Sequence, residues 1–467
     1  MSDMQPQRPV LVVGAGASGL ACVRHLQRQG AEVRVLDTRD LPPGRAELER
    51  LLPARALHFG GWHGAAFDGI GTLVLSPGVD PAAGPVRQAQ AAGIEVLGEI
   101  ELFARAANAP VISISGSNGK STVTRLAAAL LEAAGCRVAV GGNLGTPALE
   151  LLGRTLDDPA ARPDYYVLEL SSFQLETTRS LRPAAAALLN ISADHLDRHG
   201  DMRRYAAIKG SLLQGAAAAV VNRQDARLRP MAAALPSGVP VYRFGLGRPR
   251  GPRELGLCRA AGSEWFALGT RRLAPTGRLA LVGRHNRMNA LAAFGLLAAL
   301  GLDPARGAAG LDGFAALPHR LAPVGRRGSV LWLDDSKATN VGATLAAVDG
   351  LELTGGARVV LIAGGLGKGQ DFRPLARLAP RLRAVVLLGR DAPALQAVFA
   401  RAGVPVQMVA DMAAAAAAAD RAAEPGDSVL LAPACASQDM YLDYRARGED
   451  FRAAFAALAA GAPGGSS

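Results

Sequence analysis

The segment Ser115-Gly116-Ser117-Asn118-Gly119-Lys120-Ser121-Thr122 places small residues, one lysine and two hydroxyls where a strand should run into a helix. In that setting successive backbone N–H groups form a nest for a β-phosphate, a lysine reaches the terminal phosphates and a serine oxygen holds Mg²⁺. The segment departs from the strict G-x-x-x-x-G-K-[ST] pattern, because Ile114 stands where the first glycine belongs. Taken alone it fits an ATP-consuming enzyme, a mechanical ATPase or a nucleotide-gated switch.

Lysine usage sharpens this reading. Of 51 basic residues only Lys120, Lys209, Lys337 and Lys368 are lysines, leaving 47 arginines. A chain that uses arginine almost everywhere keeps lysine at four places, and three of these lie in glycine- or hydroxyl-rich motifs. Such places call for a compact ammonium, or for an amine able to lose its proton, which arginine cannot supply. Lys209, in an apparently helical stretch, would by itself pass for a surface lysine.

Other groups able to do chemistry fall at the ends of apolar runs. Glu169 in Glu169-Leu170-Ser171-Ser172-Phe173-Gln174-Leu175 is placed to bind Mg²⁺. Asp194, His195, Asp197 and His199 crowd the end of another run. Leu317-Pro318-His319-Arg320, Asp335-Ser336-Lys337-Ala338-Thr339-Asn340, Gly364–Phe372 and Ala434–Asp439 follow later strands or domain edges. Singly these are turns; jointly they read as a carboxylate-binding surface. Near the start, Gly14-Ala15-Gly16-Ala17-Ser18-Gly19 follows a strand and opens a helix, with Asp37 closing the next strand. That is also the dinucleotide fingerprint, so the ligand could be NAD or another nucleotide, or the turn could be empty.

The elements that position these groups alternate strand and helix, which predicts parallel sheets covered by helices. Strands are expected at Pro9–Val13, Val33–Leu36, Thr72–Leu75, Val111–Ser115, Tyr165–Glu169, Ala186–Asn190, Ala217–Asn222 and Val241–Phe244. Further strands are expected at Val330–Leu333, Val359–Ala363, Ala384–Leu388, Val406–Val409 and Ser428–Leu431. The Gly/Pro/Arg-rich stretch Gly245–Gly256 reads as a surface loop, and Gly461–Ser467 as a disordered tail. At 467 residues the chain should hold several domains. We place them at 1–98, 99–316 and 317–467: a Rossmann-like α/β domain, a central P-loop α/β domain and a second Rossmann-like α/β domain, in series.

Composition bounds the rest. The start of the chain lacks a basic stretch followed by an apolar core, and no uncharged apolar run reaches the ~20 residues that span a bilayer. Four scattered cysteines read as free thiols of a reducing, cytoplasmic compartment. A net charge of +11 raises nucleic acid as a partner, but the arginines are spread evenly and aromatics are 4% of the chain. Anionic small substrates suit that charge better.

From about Val10 to Phe451 the chain resembles the Mur ligases. The resemblance rests on GSNGKST, ELSSFQLETT, DHLDRH, LPHR, DDSKATN, GGLGKGQDF and PACASQD, and DDSKATN points to the branch that adds D-glutamate. It implies an ATP-dependent ligase joining D-glutamate to UDP-N-acetylmuramoyl-L-alanine, expected to act as a monomer in the cytoplasm. It also implies that the first domain binds UDP rather than NAD, with Ala17, Ser18, Asp37 and Thr38 around the uracil and Asn143 on the sugar-peptide. Gly116, Ser117, Asn118, Gly119, Lys120, Ser121 and Thr122 would cradle the ATP phosphates. Asn286, Asn289, Arg320 and Asp335 would contact the nucleotide. Of two Mg²⁺ ions, Ser121 and Glu169 would hold one, and His195 with a carbamylated Lys209 the other; Lys120, His195 and Lys209 would be the catalytic residues. D-Glutamate would lie against His195, Lys337, Thr339, Lys368, Ser437 and Tyr444. Tyr444 and Gln438 depart from the family pattern, and with them the fine shape of that pocket. A sibling ligase, a folylpolyglutamate synthetase, a dinucleotide oxidoreductase and a non-catalytic nucleotide binder are the competing readings.

Overall fold

The computed structural model describes residues 8–460. The terminal segments, including the expected disordered tail and most of the stretch searched for a leader, lie outside them.

Three sheets follow one another along the chain. The first has five parallel strands in the order Leu57–Phe59, Val33–Asp37, Val10–Val13, Thr72–Leu75, Glu95–Gly98. The second has nine, with Val111–Ser115 between Ala185–Leu188 and Tyr165–Glu169, and Val138–Gly142 on the far edge. The third has six, with Ser428–Leu431 between Val330–Asp334 and Val359–Gly364. The central strands are apolar on both faces: Val111–Ser115 and Val359–Gly364 are buried at every position. Helices on both sides require that pattern.

The expectation of wholly parallel sheets needs correction at two edges. Glu254–Ala260, Ser263–Leu268 and Arg271–Pro275 form an antiparallel meander that extends the second sheet. Its first strand begins inside the stretch expected to be loop. In the third sheet Ala322–Arg327 pairs antiparallel with Val330–Asp334. These strands carry charged residues on their exposed face, so they lack the continuous apolar run that marks the inner strands. Lys209 lies, as expected, in a helix, Met202–Gln214.

The glycine turns behave as the sequence requires. A Cβ on Gly19 would lie 1.8 Å from the Gly14 carbonyl oxygen, so the helix Ala17–Arg28 can pack on its strand only with glycine there. Gly119 enters the helix Lys120–Ala133 at φ +86°, and its Cβ would lie 2.7 Å from Asn289 Oδ1.

Candidate active site

The chemistry-bearing groups gather at the carboxyl ends of the strands, where parallel α/β sheets bind ligands. Around Gly116–Thr122 the loop is fixed from behind: Ser117 N donates to Asn190 O at 2.9 Å and Asn118 N to Asn190 Oδ1 at 2.8 Å. Lys120 Nζ folds back onto the carbonyls of Gly116 and Ser117, both at 2.9 Å. Burial lowers its pKa, opposed by the charges of Glu169 and Asp194.

Ser121 and Glu169 meet as expected, Ser121 Oγ donating to Glu169 Oε2 at 2.5 Å. Two further site residues join them. Asn143 Nδ2 donates to Glu169 Oε1 at 2.7 Å, and Arg320 Nη2 reaches across from the third-sheet region to donate to Ser121 Oγ at 2.7 Å. Ser171 and Gln174, prominent in the sequence motif, form a capping box for the one-turn helix Ser172–Leu175. That turn sets Phe173 edge-on against His195, ring centres 4.8 Å apart.

Lys209 is 1% exposed, and its Nζ donates to Gly116 O at 3.0 Å. Burial, and then the neighbouring Lys120 charge, push its pKa well below the ordinary lysine range. The charges of Asp194 and Glu169 and the Tyr205 ring, 4.9 Å from Nζ, oppose that shift without cancelling it. His195, at φ 53°, lies 3.7 Å from Asp194, and burial lowers its pKa. Asp194 in turn accepts from Asn340 Nδ2 at 3.0 Å, tying this region to the DDSKATN loop.

Asn286, Asn289, Arg320, Asp335 and Lys337 line one cleft between the second and third sheets. Asn286 donates to Val282 O and accepts from Asn289, so both amides are preset. Burial raises Asp335 to about 7 despite Arg320, and burial with the charges of Arg320 and Lys120 lowers Lys337 to about 8. Lys337 Nζ stands 4.0 Å over the Tyr444 ring, a cation–π contact. Lys368, at φ 51°, is close enough for its charge to lower the pKa of His195. Ser437 is buried, its carbonyl accepting from Met440 N and Tyr441 N; Thr339 N donates to Lys337 O.

A separate cavity opens beside the first glycine loop, walled by Gly14, Gly16, Asp37 and Thr38. Ala17 and Ser18 lie in the adjoining first helical turn and are not among its walls. Asp37 is heavily engaged, accepting from Ala15 N at 2.7 Å and from Arg39 N and Nε at 2.9 Å. Burial alone would raise it, but Arg39 and those N–H groups hold it at about 2.

Sequence reasoning missed several residues here. Arg39 and Trp62 in the first cavity, and Asn222 and Phe244 in the cleft, carry no motif signal. Arg447 is 3% exposed and bonds to the carbonyls of Ser336 and Cys435, joining the DDSKATN and PACASQD loops. One arginine among 47 gives no hint of that.

Family models match along the chain: a Mur ligase MurD-like N-terminal domain over residues 8–98, a Mur ligase middle domain over 114–297 and a Mur ligase glutamate ligase domain over 319–435. A UDP-N-acetylmuramoylalanine--D-glutamate ligase of Nitrosococcus oceani is 46% identical, with 97% of each chain covered. One of the same name from Methylobacillus flagellatus is 45% identical, covering 95% of this chain and 96% of that one. In fold the chain is similar to a pseudomurein peptide ligase of Methanothermus fervidus, with TM-score 0.61 and 16% identity over 97% of this chain and all of that one. It is also similar to a UDP-N-acetylmuramate-alanine ligase of Thermotoga maritima, with TM-score 0.59, 16% identity and the same coverage. On these matches, and on the motifs assembled above, the chain belongs to the Mur ligase family.

Proposed function

We propose that this protein joins D-glutamate to UDP-N-acetylmuramoyl-L-alanine at the expense of ATP, as a step in making peptidoglycan precursor, with domains at 1–98, 99–316 and 317–467. The single observation that carries the reading is that the Gly116–Thr122 loop meets Arg320 of the last domain at Ser121, beside Glu169 and the cleft holding Asp335 and Lys337. For the choice of substrates, support comes from relatives of that name at 46% and 45% identity over nearly the whole chain.

In this reading the L-alanyl carboxylate attacks the γ-phosphorus of ATP, and ADP leaves with the bond electrons. Backbone N–H groups of Gly116–Thr122 and the Lys120 and Arg320 cations offset the charge on the phosphoryl oxygens. The neutral amine of D-glutamate then attacks the acyl-phosphate carbonyl, gives up a proton, and phosphate departs to leave the amide. Lys337, Thr339, Lys368, Ser437 and Tyr444 hold the D-glutamate, with His195 between it and the phosphates. Gly14–Gly19, Asp37, Thr38 and Asn143 hold the UDP-linked substrate.

The residues also fit Mg²⁺. Ser121 and Glu169 offer buried hard oxygens, and among the described residues no three His, Cys, Asp or Glu side chains cluster as an all-protein cage. Mg²⁺ suits that scarcity, because it keeps waters and takes ligands from bound phosphates. When bound it would neutralise phosphoryl charge. Lys209, buried with a depressed pKa, is suited to add CO₂ and become a carbamate, which with His195 would serve a second ion. No helix among the described residues is long and apolar enough to cross a membrane; a cytoplasmic monomer acting on these two small substrates completes the proposal.

The test is phosphate release with each substrate omitted in turn. Turnover should need ATP, Mg²⁺, UDP-N-acetylmuramoyl-L-alanine and D-glutamate together. Comparable rates with L-glutamate or meso-diaminopimelate would assign a sibling activity.

A further inference from the structure

Trp62 is a large apolar side chain that the fold leaves 38% exposed, and it stands in the wall of the cavity beside the first glycine loop. A single exposed aromatic is ordinary on a surface, but one set in the wall of a cavity offers a ring face to a ligand. The segment carrying it is tied to the neighbouring strand that ends in Asp37: Gly60 N donates to the carbonyls of Asp37 and Arg39 at 3.1 and 3.2 Å. His63 Nε2 lies 2.9 Å from Phe59 O and closes the turn. Gly60 and Gly61, at φ +89° and +157°, set the approach to Trp62, and its ring is backed by Phe67 with centres 6.3 Å apart. The indole is therefore backed by Phe67 and lines the same cavity as Asp37, Thr38 and Gly16. No heavy atom lies within 4 Å of where a Gly16 Cβ would sit, so on that side the cavity has room for a flat group.

We propose that Trp62 is a specificity-determining residue that stacks on the nucleobase of the UDP-linked substrate, with the glycine loop as the facing wall. The inference rests on the proposed function for its ligand. A planar base presents a π-face to the indole whatever its hydrogen-bonding edge does, and the polar groups of Thr38 and of Arg39, which Asp37 holds in place, are left to read that edge.

The full-length chain offers its own probe, because its three tryptophans are in different surroundings: Trp332 is fully buried and Trp265 lies on the antiparallel meander far along the chain from this cavity. Titration with UDP should quench tryptophan fluorescence saturably, and Trp62→Phe should abolish the quench. Trp62→Ala should raise KM for the UDP-linked substrate about tenfold, in the range expected for loss of one base–aromatic stack, with no matching rise in KM for ATP. Trp62→Phe, which keeps a stacking ring, should recover most of that loss, and this also separates stacking from misfolding. A Trp62→Ala KM within twofold of the parent, or a UDP quench that survives Trp62→Phe, overturns the proposal while leaving the ligase reading intact. If the parent neither binds UDP nor turns over the UDP-linked substrate, it is the ligase reading that fails.

Discussion

Lysine and arginine carry the same charge, so exchanging them tests whether charge alone is needed. At Lys120 it is not, because Nζ sits within 2.9 Å of two loop carbonyls and a planar guanidinium cannot occupy that space. Lys120→Arg should lower kcat by about 10²–10³, the usual cost of misplacing a charge-stabilising donor. Lys209→Arg should be as severe for another reason: arginine stays protonated and cannot become a carbamate. Lys209→Ala should then recover part of its activity with added acetate, and near-parental turnover of Lys209→Arg in the same phosphate-release assay would remove the carbamate role. As a control, Arg28→Lys alters an exposed ion pair with Asp157, away from the cleft, and should change turnover less than about twofold. Asp335 gives a prediction in pH. Its folded pKa is raised to about 7 from 3.8, so its contribution to stability is present below pH 4 and is lost as pH rises through 7. Asp335→Asn should therefore gain thermal stability relative to the parent, more at pH 8 than at pH 5, as read by Tm.

At the scale of elements, the two glycine turns separate folding from binding. Gly19 has no room for a side chain against the Gly14 carbonyl, whereas Gly16 faces open space. Gly19→Ala should lower Tm by several degrees, since overpacking costs about 1–3 kcal/mol. Gly16→Ala should leave Tm close to the parent and weaken the UDP-linked substrate. Equal Tm losses in the two variants would show that this turn is purely structural. The same elements show what a sequence displays and what it hides. The inner strands were legible because burial on both faces forces continuous apolar runs such as Val-Val-Leu-Ile-Ala at 359–363. The meander 254–275 was not: with one face in solvent it carries Arg259, Glu264, Arg271 and Arg272, and Gly245–Gly256, which overlaps its first strand, reads as coil.

At the scale of the molecule, polar side chains at the cleft join the last domain to the central one. Arg320 reaches Ser121, and Asn340 bonds both Asn118 and Asp194 while its Oδ1 caps the helix Val341–Gly350 through Ala343 N. Arg320→Lys keeps the charge but shortens the reach and loses the planar fork. It should lower kcat by about tenfold or more with little change in Tm, and an unaltered kcat would show that this contact plays no part in turnover. The four lysines, the glycine turns and the motif spacing were set by the sequence, because phosphate chemistry and tight turns tolerate few residue types. The engagement of Asn143 with Glu169, the buried clamp made by Arg447 and the place of Trp62 were decided only by tertiary structure. Those roles depend on which segments meet, and one asparagine, arginine or tryptophan looks like any other until the sheets bring it to its partner.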